Sequence, residues 1–197
     1  MLKKMMLLAM AVGAIVAFAA PAMAQATTTV TGTDGKAAST FTATSSNLTT
    51  QTSVGRLACN TVHITGNVSN GADATLSGIH GTATSDIHPF NTAAECPILG
   101  PLGEVVTAAR ITSISGEMTL EGGSGEAEFG FHFDVTIAPG VLATCDYNTS
   151  GGAALTYSGS VITITPPGAE LVGTGETGCP TEGTLDGELT LDGSIDG

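Results

Sequence analysis

The sequence predicts an all-β protein, and three observations indicate that class. Residues 127–137, in the run GEAEFGFHFDVTIAPG, alternate between apolar and polar side chains, with Phe129, Phe131 and Phe133 on the apolar side. Successive strand side chains point to opposite faces, whereas a helix would scatter these phenylalanines around its circumference. Residues 185–195 alternate in the same way, and turn signals separate roughly ten short segments of this kind. We therefore expect an antiparallel β-sandwich, immunoglobulin-like or jelly-roll-like, with an open barrel as the alternative.

Residues 1–24 have the organisation of a secretory signal peptide. Lys3 and Lys4 form a positive start, an apolar run follows, and Ala22-Met23-Ala24 gives a cleavage site before Gln25. We expect the mature chain, 25–197, to be a single β-sandwich domain without a transmembrane segment. We expect it to be secreted, outside the cytoplasm.

The expected mature chain is strongly acidic. It keeps Lys36, Arg56 and Arg110 against 18 acidic residues, so its net charge is three minus 18, or −15. Binding to nucleic-acid phosphates needs clustered Lys and Arg, so nucleic acid is excluded as a partner. The same charge disfavours an anionic membrane surface. A protein or surface partner stays open.

The four cysteines predict two disulfides, because disulfides are the default in exported proteins. No pair has the C-x-x-C spacing typical of zinc or redox sites. Four cysteines allow three pairings. We favour the sequential one, which closes two loops of similar length: Cys59 with Cys96, and Cys145 with Cys179.

The first half of the mature chain predicts four features in order. Residues 25–53, rich in Thr, Ser and Ala, indicate edge strands or a loosely held N-terminal arm. Residues 55–68 form a strand whose apolar phase changes at Asn60-Thr61, which predicts a β-bulge. Asn70-Gly71 predicts a hairpin, with 74–79 as the returning strand. Residues 85–103, with three prolines, are expected to form a long loop pinned by Cys96.

The second half predicts strands separated by proline turns. Residues 105–120 have strand character, and a helix over 104–110 is the weaker alternative. A turn at Pro139-Gly140 follows the phenylalanine strand, and another is expected at Pro166-Pro167-Gly168. The short strands expected around these turns, and the final one, are 145–147, 154–157, 161–165 and 185–195.

One strand sequence occurs twice. GEMTLEG at 116–122 matches GELTLDG at 187–193, and a Cys-Pro pair precedes each copy. Duplication of an ancestral half and convergence of two similarly packed strands both explain the match.

The segments LACNTVHITGNV, ATCDY, ALTYSGSVITI and TEGTLDGELTLDG resemble small exported bacterial all-β proteins that contain disulfides and have no known function. Residues 56–78 are also similar to exported activators of alkane oxidation. Neither resemblance transfers a functional residue to this chain.

Motifs for catalysis and cofactor binding are absent from the sequence. It has no G-x-S-x-G, no H-E-x-x-H, no phosphate loop and no EF-hand loop. His63 and His132 fall in the polar phase of their strands, where a solvent-facing histidine is ordinary. Asp86 and His88 offer two metal ligands without a third. We therefore expect no catalytic, cofactor-binding or metal residues, and no enzyme.

Three classes of function fit these observations. The preferred one is an exported, non-catalytic structural or adhesive β-sandwich. A small-ligand or carbohydrate-binding module is second, although sugar sites usually use exposed aromatics and the mature chain has only Tyr147 and Tyr157 besides phenylalanine. A hydrolase is third.

Acidic residues fill the polar phase of several predicted strands. If these strands share a sheet, like charges on neighbouring strands repel each other. A calcium ion accepts carboxylate oxygens in flexible geometry and would relieve that repulsion. Weak calcium binding is therefore one hypothesis, and an ordinary solvated acidic face is the other. The residues concerned are Glu117, Glu121, Glu126, Glu128, Asp134, Asp186, Glu188, Asp192 and Asp196.

Overall fold

The computed structural model describes residues 27–59, 61–85, 95–138, 141–175 and 177–197. Within them the regular structure consists of twelve β-strands, which confirms the all-β class. The expected signal peptide, 1–24, lies outside the described residues. The strands are β1 Thr29–Thr31, β2 Thr40–Ser45, β3 Thr49–Thr52, β4 Gly55–Ala58, β5 Thr61–Ser69, β6 Ala74–Thr84, β7 Glu95–Leu99, β8 Val105–Glu121, β9 Ser124–Ala138, β10 Val141–Thr149, β11 Ala153–Gly175 and β12 Glu182–Asp196.

All twelve strands belong to one antiparallel sheet, which closes on itself in two rings. The long strands β8, β9, β11 and β12 run through both rings. From β12 to β8, one arc passes through β2, β5 and β6, and another through β3, β4 and β7. From β8 the sheet continues to β9. One end of β9 pairs directly with β11, and at the other end β10 lies between β9 and β11 and pairs with both. A sandwich of two separate sheets is therefore not confirmed.

We call the seven-stranded closure of β2, β5, β6, β8, β9, β11 and β12 the core ring. The eight-stranded closure of β3, β4, β7, β8, β9, β10, β11 and β12 is the cavity ring. One additional strand widens the cavity ring, and closed eight-stranded sheets have room inside for packed side chains or one small ligand.

The phenylalanine strand lies in β9 as predicted. Ala127, Phe129, Phe131, Phe133 and Val135 are all buried, while the residues between them are exposed or half-buried. β9 pairs with β8 along most of its length. Its apolar face therefore contributes to the interior of both rings, which explains why the densest aromatic sequence is found here.

The final strand is also confirmed. Leu185, Leu189, Leu191 and Ile195 of β12 are buried. The two copies of the repeated sequence share this burial pattern, since the apolar residues of GEMTLEG on β8 are buried as well. The origin of the repeat by duplication stays a hypothesis.

One expectation for the first half is wrong, and another cannot be compared with the structure. The β-bulge expected at Asn60-Thr61 includes Asn60, which lies outside the described residues; before it β4 pairs with β3, and after it β5 pairs with β2. The expected loop 85–103 contains β7, a strand between β4 and β8. Residues 86–94 also lie outside the described residues. In the second half, the strand predicted over 105–120 is confirmed as β8, so the helical alternative over 104–110 is wrong.

Residues 25–53 contribute β1, β2 and β3, and β2 lies inside the sheet between β5 and β12. The hairpin at Asn70-Gly71 joins β5 to β6 as predicted. The Asn70 amide bonds the backbone of Val30 and Ala38, and so fastens the N-terminal strands to this turn.

The expected turn at Pro166-Pro167-Gly168 is wrong. These residues lie within β11, where the pairing with β12 shifts register between Ile164 and Ala169. Proline has no N–H to donate to a ladder and is tolerated in a strand at such an irregularity. Gly168 has φ of 99°, a conformation that glycine adopts readily. The expected turn at Pro139-Gly140 lies outside the described residues.

Two disulfides are present, and they join the pairs that the sequence favours: Cys59 with Cys96, and Cys145 with Cys179. Both lie in the cavity ring. The first ties the end of β4 to β7, and the second ties β10 to the segment before β12. Two disulfides are typical of an oxidising compartment outside the cytoplasm. In the described part of the chain, no helix has the length and hydropathy needed to cross a membrane.

Candidate functional site

The cavity ring encloses a cavity of about 580 Å³. Its wall is formed by inward-facing residues of β3, β4, β7, β8, β9 and β10, together with the segment that precedes β12. Most of these side chains are apolar. They include Leu57, Ile98, Phe133, Val135, Cys145 and Tyr147. The core ring, by contrast, is filled by large buried side chains such as Ile64, Leu76, Met118 and Leu120.

Two aromatic rings form one side of the cavity. Phe133 on β9 and Tyr147 on β10 stack in parallel, with ring centroids 5.3 Å apart. The Tyr147 hydroxyl donates a hydrogen bond to the carbonyl oxygen of Pro180 at 2.6 Å. Burial raises the pKa of Tyr147 from 10.0 to about 12, because removal from water disfavours the phenolate. The phenol therefore stays protonated to a higher pH than an exposed tyrosine.

The second disulfide holds this side of the cavity together. Cys145 lines the cavity, and its partner Cys179 lies between two other lining residues, Gly178 and Pro180. The Tyr147–Pro180 bond and a backbone bond from Gly173 N to Thr181 O hold the same segment. Residues 177–181 belong to none of the twelve strands. The disulfide and these two hydrogen bonds therefore hold this segment in place against the cavity.

The cavity reaches solvent beside Val54 and Val106. Both line the cavity, and their side chains are 50% and 58% exposed. Among the described residues five large apolar side chains are exposed, and four of them lie at the β3–β4 turn or where β7 reverses into β8. These four are Val54, Leu102, Val105 and Val106. The opening is thus bordered by apolar surface.

A second arrangement lies on the outer face of β8, β9 and β10. Ser113, His132 and Asp146 occupy one row of the ladder on these three neighbouring strands. His132 Nδ1 bonds Asp146 Oδ1, and a shallow groove of about 190 Å³ follows the row. An aspartate that orients a histidine beside a serine is the residue set of nucleophilic hydrolases. Here the histidine and aspartate side chains are 41% and 45% exposed.

The other candidate residues from the sequence are dispersed. His63 is exposed on β5, and Asp86 and His88 lie outside the described residues. Within the described ranges, no three His, Cys, Asp or Glu residues are grouped to hold a metal ion. Glu117 and Glu128 are direct neighbours across β8 and β9, whereas the acids of β12 lie on a different part of the sheet.

Sequence reasoning missed the cavity residues. Leu57, Ile98 and Val135 are apolar strand residues like those of the core ring, and their alternation predicts only that they face inward. The one sequence feature that pointed to the cavity was Tyr147. It is one of two tyrosines in the mature chain, and it lies two residues after Cys145. Both tyrosines are buried, so neither offers an exposed platform for a sugar.

Comparisons of the chain with protein-family models, with curated proteins and with solved structures found no match. The resemblances noted in the sequence therefore stay predictions.

Proposed function

We propose that this is an exported, non-catalytic protein that binds a small apolar molecule in the cavity ring. The observation that carries the proposal is the cavity of about 580 Å³ with a mostly apolar wall and an opening beside Val54 and Val106. Binding sites for small molecules are typically concave, largely apolar and within this range of volumes. Transfer of apolar surface from water into such a site is favourable.

The chemistry of the wall supports an apolar ligand over a carbohydrate. Sugars need several convergent polar groups and an exposed aromatic face. The polar groups at this wall are threonine hydroxyls and Tyr147, whose hydroxyl already bonds Pro180. A structural or adhesive role stays a proposal, and such a role would not require the cavity.

A fluorescent probe tests the proposal. N-phenylnaphthylamine is neutral, apolar and more emissive in apolar surroundings, and we expect it to bind saturably with one site per chain. Val135→Trp fills the cavity from β9 and should abolish binding. Thr174→Trp adds the same side chain at an exposed position of β11 and should leave binding unchanged. Circular dichroism verifies that both variants are folded.

Two results would contradict a cavity site. One is the absence of saturable binding by the folded parent protein. The other is equal loss of binding in both tryptophan variants, since the second does not touch the cavity.

A hydrolase is a second candidate, and the row of Ser113, His132 and Asp146 favours it. In that role His132 would take the Ser113 hydroxyl proton while Asp146 holds the imidazole. A fluorophosphonate probe tests this: serine oxygen would bond phosphorus as fluoride leaves. Labelling of the parent but not of Ser113→Ala supports the activity, and equal labelling of both contradicts it.

A further inference from the structure

We propose that the ligand of the cavity carries an anionic head group, and that Arg56 binds this group. The inference rests on the proposed function and deepens it by naming the ligand class: an apolar chain or ring system that ends in a carboxylate or a similar anion. Arg56 is an exposed residue of β4 on the outer face of the sheet, whereas its chain neighbours Gly55 and Leu57 face inward and line the cavity.

Arg56 differs from the other described basic residues in its charge environment. Lys36 forms an ion pair with Asp34 at 3.6 Å. Arg110 lies between two acids in the ladder, opposite Glu95 on β7 and Asp134 on β9.

The ladder neighbours of Arg56 are instead uncharged, namely Gln51 on β3 and Leu99 on β7. Among the described residues neither arginine forms an ion pair, so Arg56 is distinguished by having no acidic neighbour in the ladder. In a chain with 18 acidic residues, an arginine without an acidic partner has its guanidinium available for an external anion.

The surroundings of Arg56 connect it to the cavity. Arg56 lines a groove of about 440 Å³ between the β3–β4 hairpin and the β7–β8 reversal. Three residues at the tip of the hairpin line both this groove and the cavity, namely Thr52, Val54 and Gly55. If the apolar part of a molecule fills the cavity, its remaining end would thus emerge from the cavity beside the groove.

Arg56 is the charged residue that lines the groove, and the Glu104 carboxylate lies against Gly100, one of the other lining residues. Glu104, on the neighbouring reversal, has one carboxylate oxygen bonded by the amide of Leu102 at 3.0 Å. Guanidinium is a planar donor that matches carboxylate geometry and is only weakly hydrated. Arg56 therefore supplies the cationic contact that an amphipathic anion needs against the negative field of this chain.

Displacement of N-phenylnaphthylamine by decanoate and by decanol tests the inference, since the two competitors share a chain and differ in the head group. We expect decanoate to compete better than decanol with the parent protein. Arg56→Gln should weaken competition by decanoate about fivefold and leave decanol unchanged, the size expected for one exposed charge contact. Arg56→Lys keeps the charge and should restore part of the effect.

Arg110→Gln is the matched control and should change neither competitor, because its ladder neighbours are acidic. Failure of the neutral probe to bind the parent would overturn the proposed function itself. If the probe binds and decanoate displaces it equally well from the parent and from Arg56→Gln, only the head-group assignment is overturned.

Discussion

The Tyr147 hydroxyl lies 2.6 Å from the Pro180 carbonyl oxygen and donates a hydrogen bond to it. This bond joins β10 to the segment that carries Cys179, next to the Cys145–Cys179 disulfide. A covalent and a polar contact therefore hold the same piece of chain against the cavity. Together they fix the position of this part of the cavity wall.

Ionisation of Tyr147 should destabilise the fold at high pH. Its pKa is raised from 10.0 to about 12, so between these values the unfolded chain loses the proton more readily than the folded one. The free energy of unfolding should therefore fall as the pH rises from 10 towards 12. An ultraviolet titration of the phenol groups should show one late transition that disappears in Tyr147→Phe. Ionisation of Tyr147 near pH 10 would contradict the burial of this hydroxyl.

Removal of either disulfide should destabilise the fold by a similar amount, since the paired cysteines are 37 and 34 residues apart. The expected cost is about 3 to 4 kcal/mol for each, measured as the free energy of unfolding in urea. Only the Cys145→Ala/Cys179→Ala variant should expose residues 177–181 to limited proteolysis. Equal cleavage of that segment in Cys59→Ala/Cys96→Ala would show that the disulfide does not hold the cavity wall.

A charge on the inner face of β9 should prevent folding. Phe131 is 7% exposed, and Phe131→Asp would bury an unpaired carboxylate at a cost of several kcal/mol. His132 is partly exposed and faces outward, so His132→Gln should change stability by about 1 kcal/mol or less. Glutamine is the better control than aspartate, because Asp146 is the hydrogen-bond partner of His132. Similar losses of cooperative unfolding in both variants would mean that β9 is buried on both faces.

Weak calcium binding by the acidic strands stays a prediction. The structure places Glu117 opposite Glu128, and a cation between them would reduce their repulsion. Bound calcium should raise the Tm at constant ionic strength, and a chelator should reverse the rise. The Glu117→Gln variant should respond less. Identical melting temperatures with calcium and with chelator, up to millimolar calcium, would leave only diffuse screening.

The sequence predicts local structure well where one face of a strand is buried. The alternation around Phe131 and Leu189 identifies β9 and β12, because a one-residue shift would move every apolar side chain to solvent. The similar lengths of the two closed loops, 37 and 34 residues, likewise favour the observed disulfides. Local signals fail where tertiary pairing overrides them: Pro166 and Pro167 predict a turn, yet a register shift keeps them within β11.

The cavity could not be predicted in the same way. Alternation indicates that Leu57 and Ile98 face inward, but whether they meet partners or a space depends on how many strands complete the ring. That number is set by long-range pairings such as β4 with β7 and β10 with β11. The uncharged surroundings of Arg56 could not be predicted either, since its neighbour Leu99 on β7 lies 43 residues further along the sequence.

The central claim, that the cavity ring binds an apolar ligand while the core ring is solid, is tested most directly by methyl NMR during titration with N-phenylnaphthylamine. Contacts between probe protons and the methyl groups of Leu57, Ile98 and Val135 are the predicted result. The buried methyl groups of Leu76, Met118 and Leu120 should show none. Contacts only to exposed residues such as Val172, or to the core ring, would contradict the account.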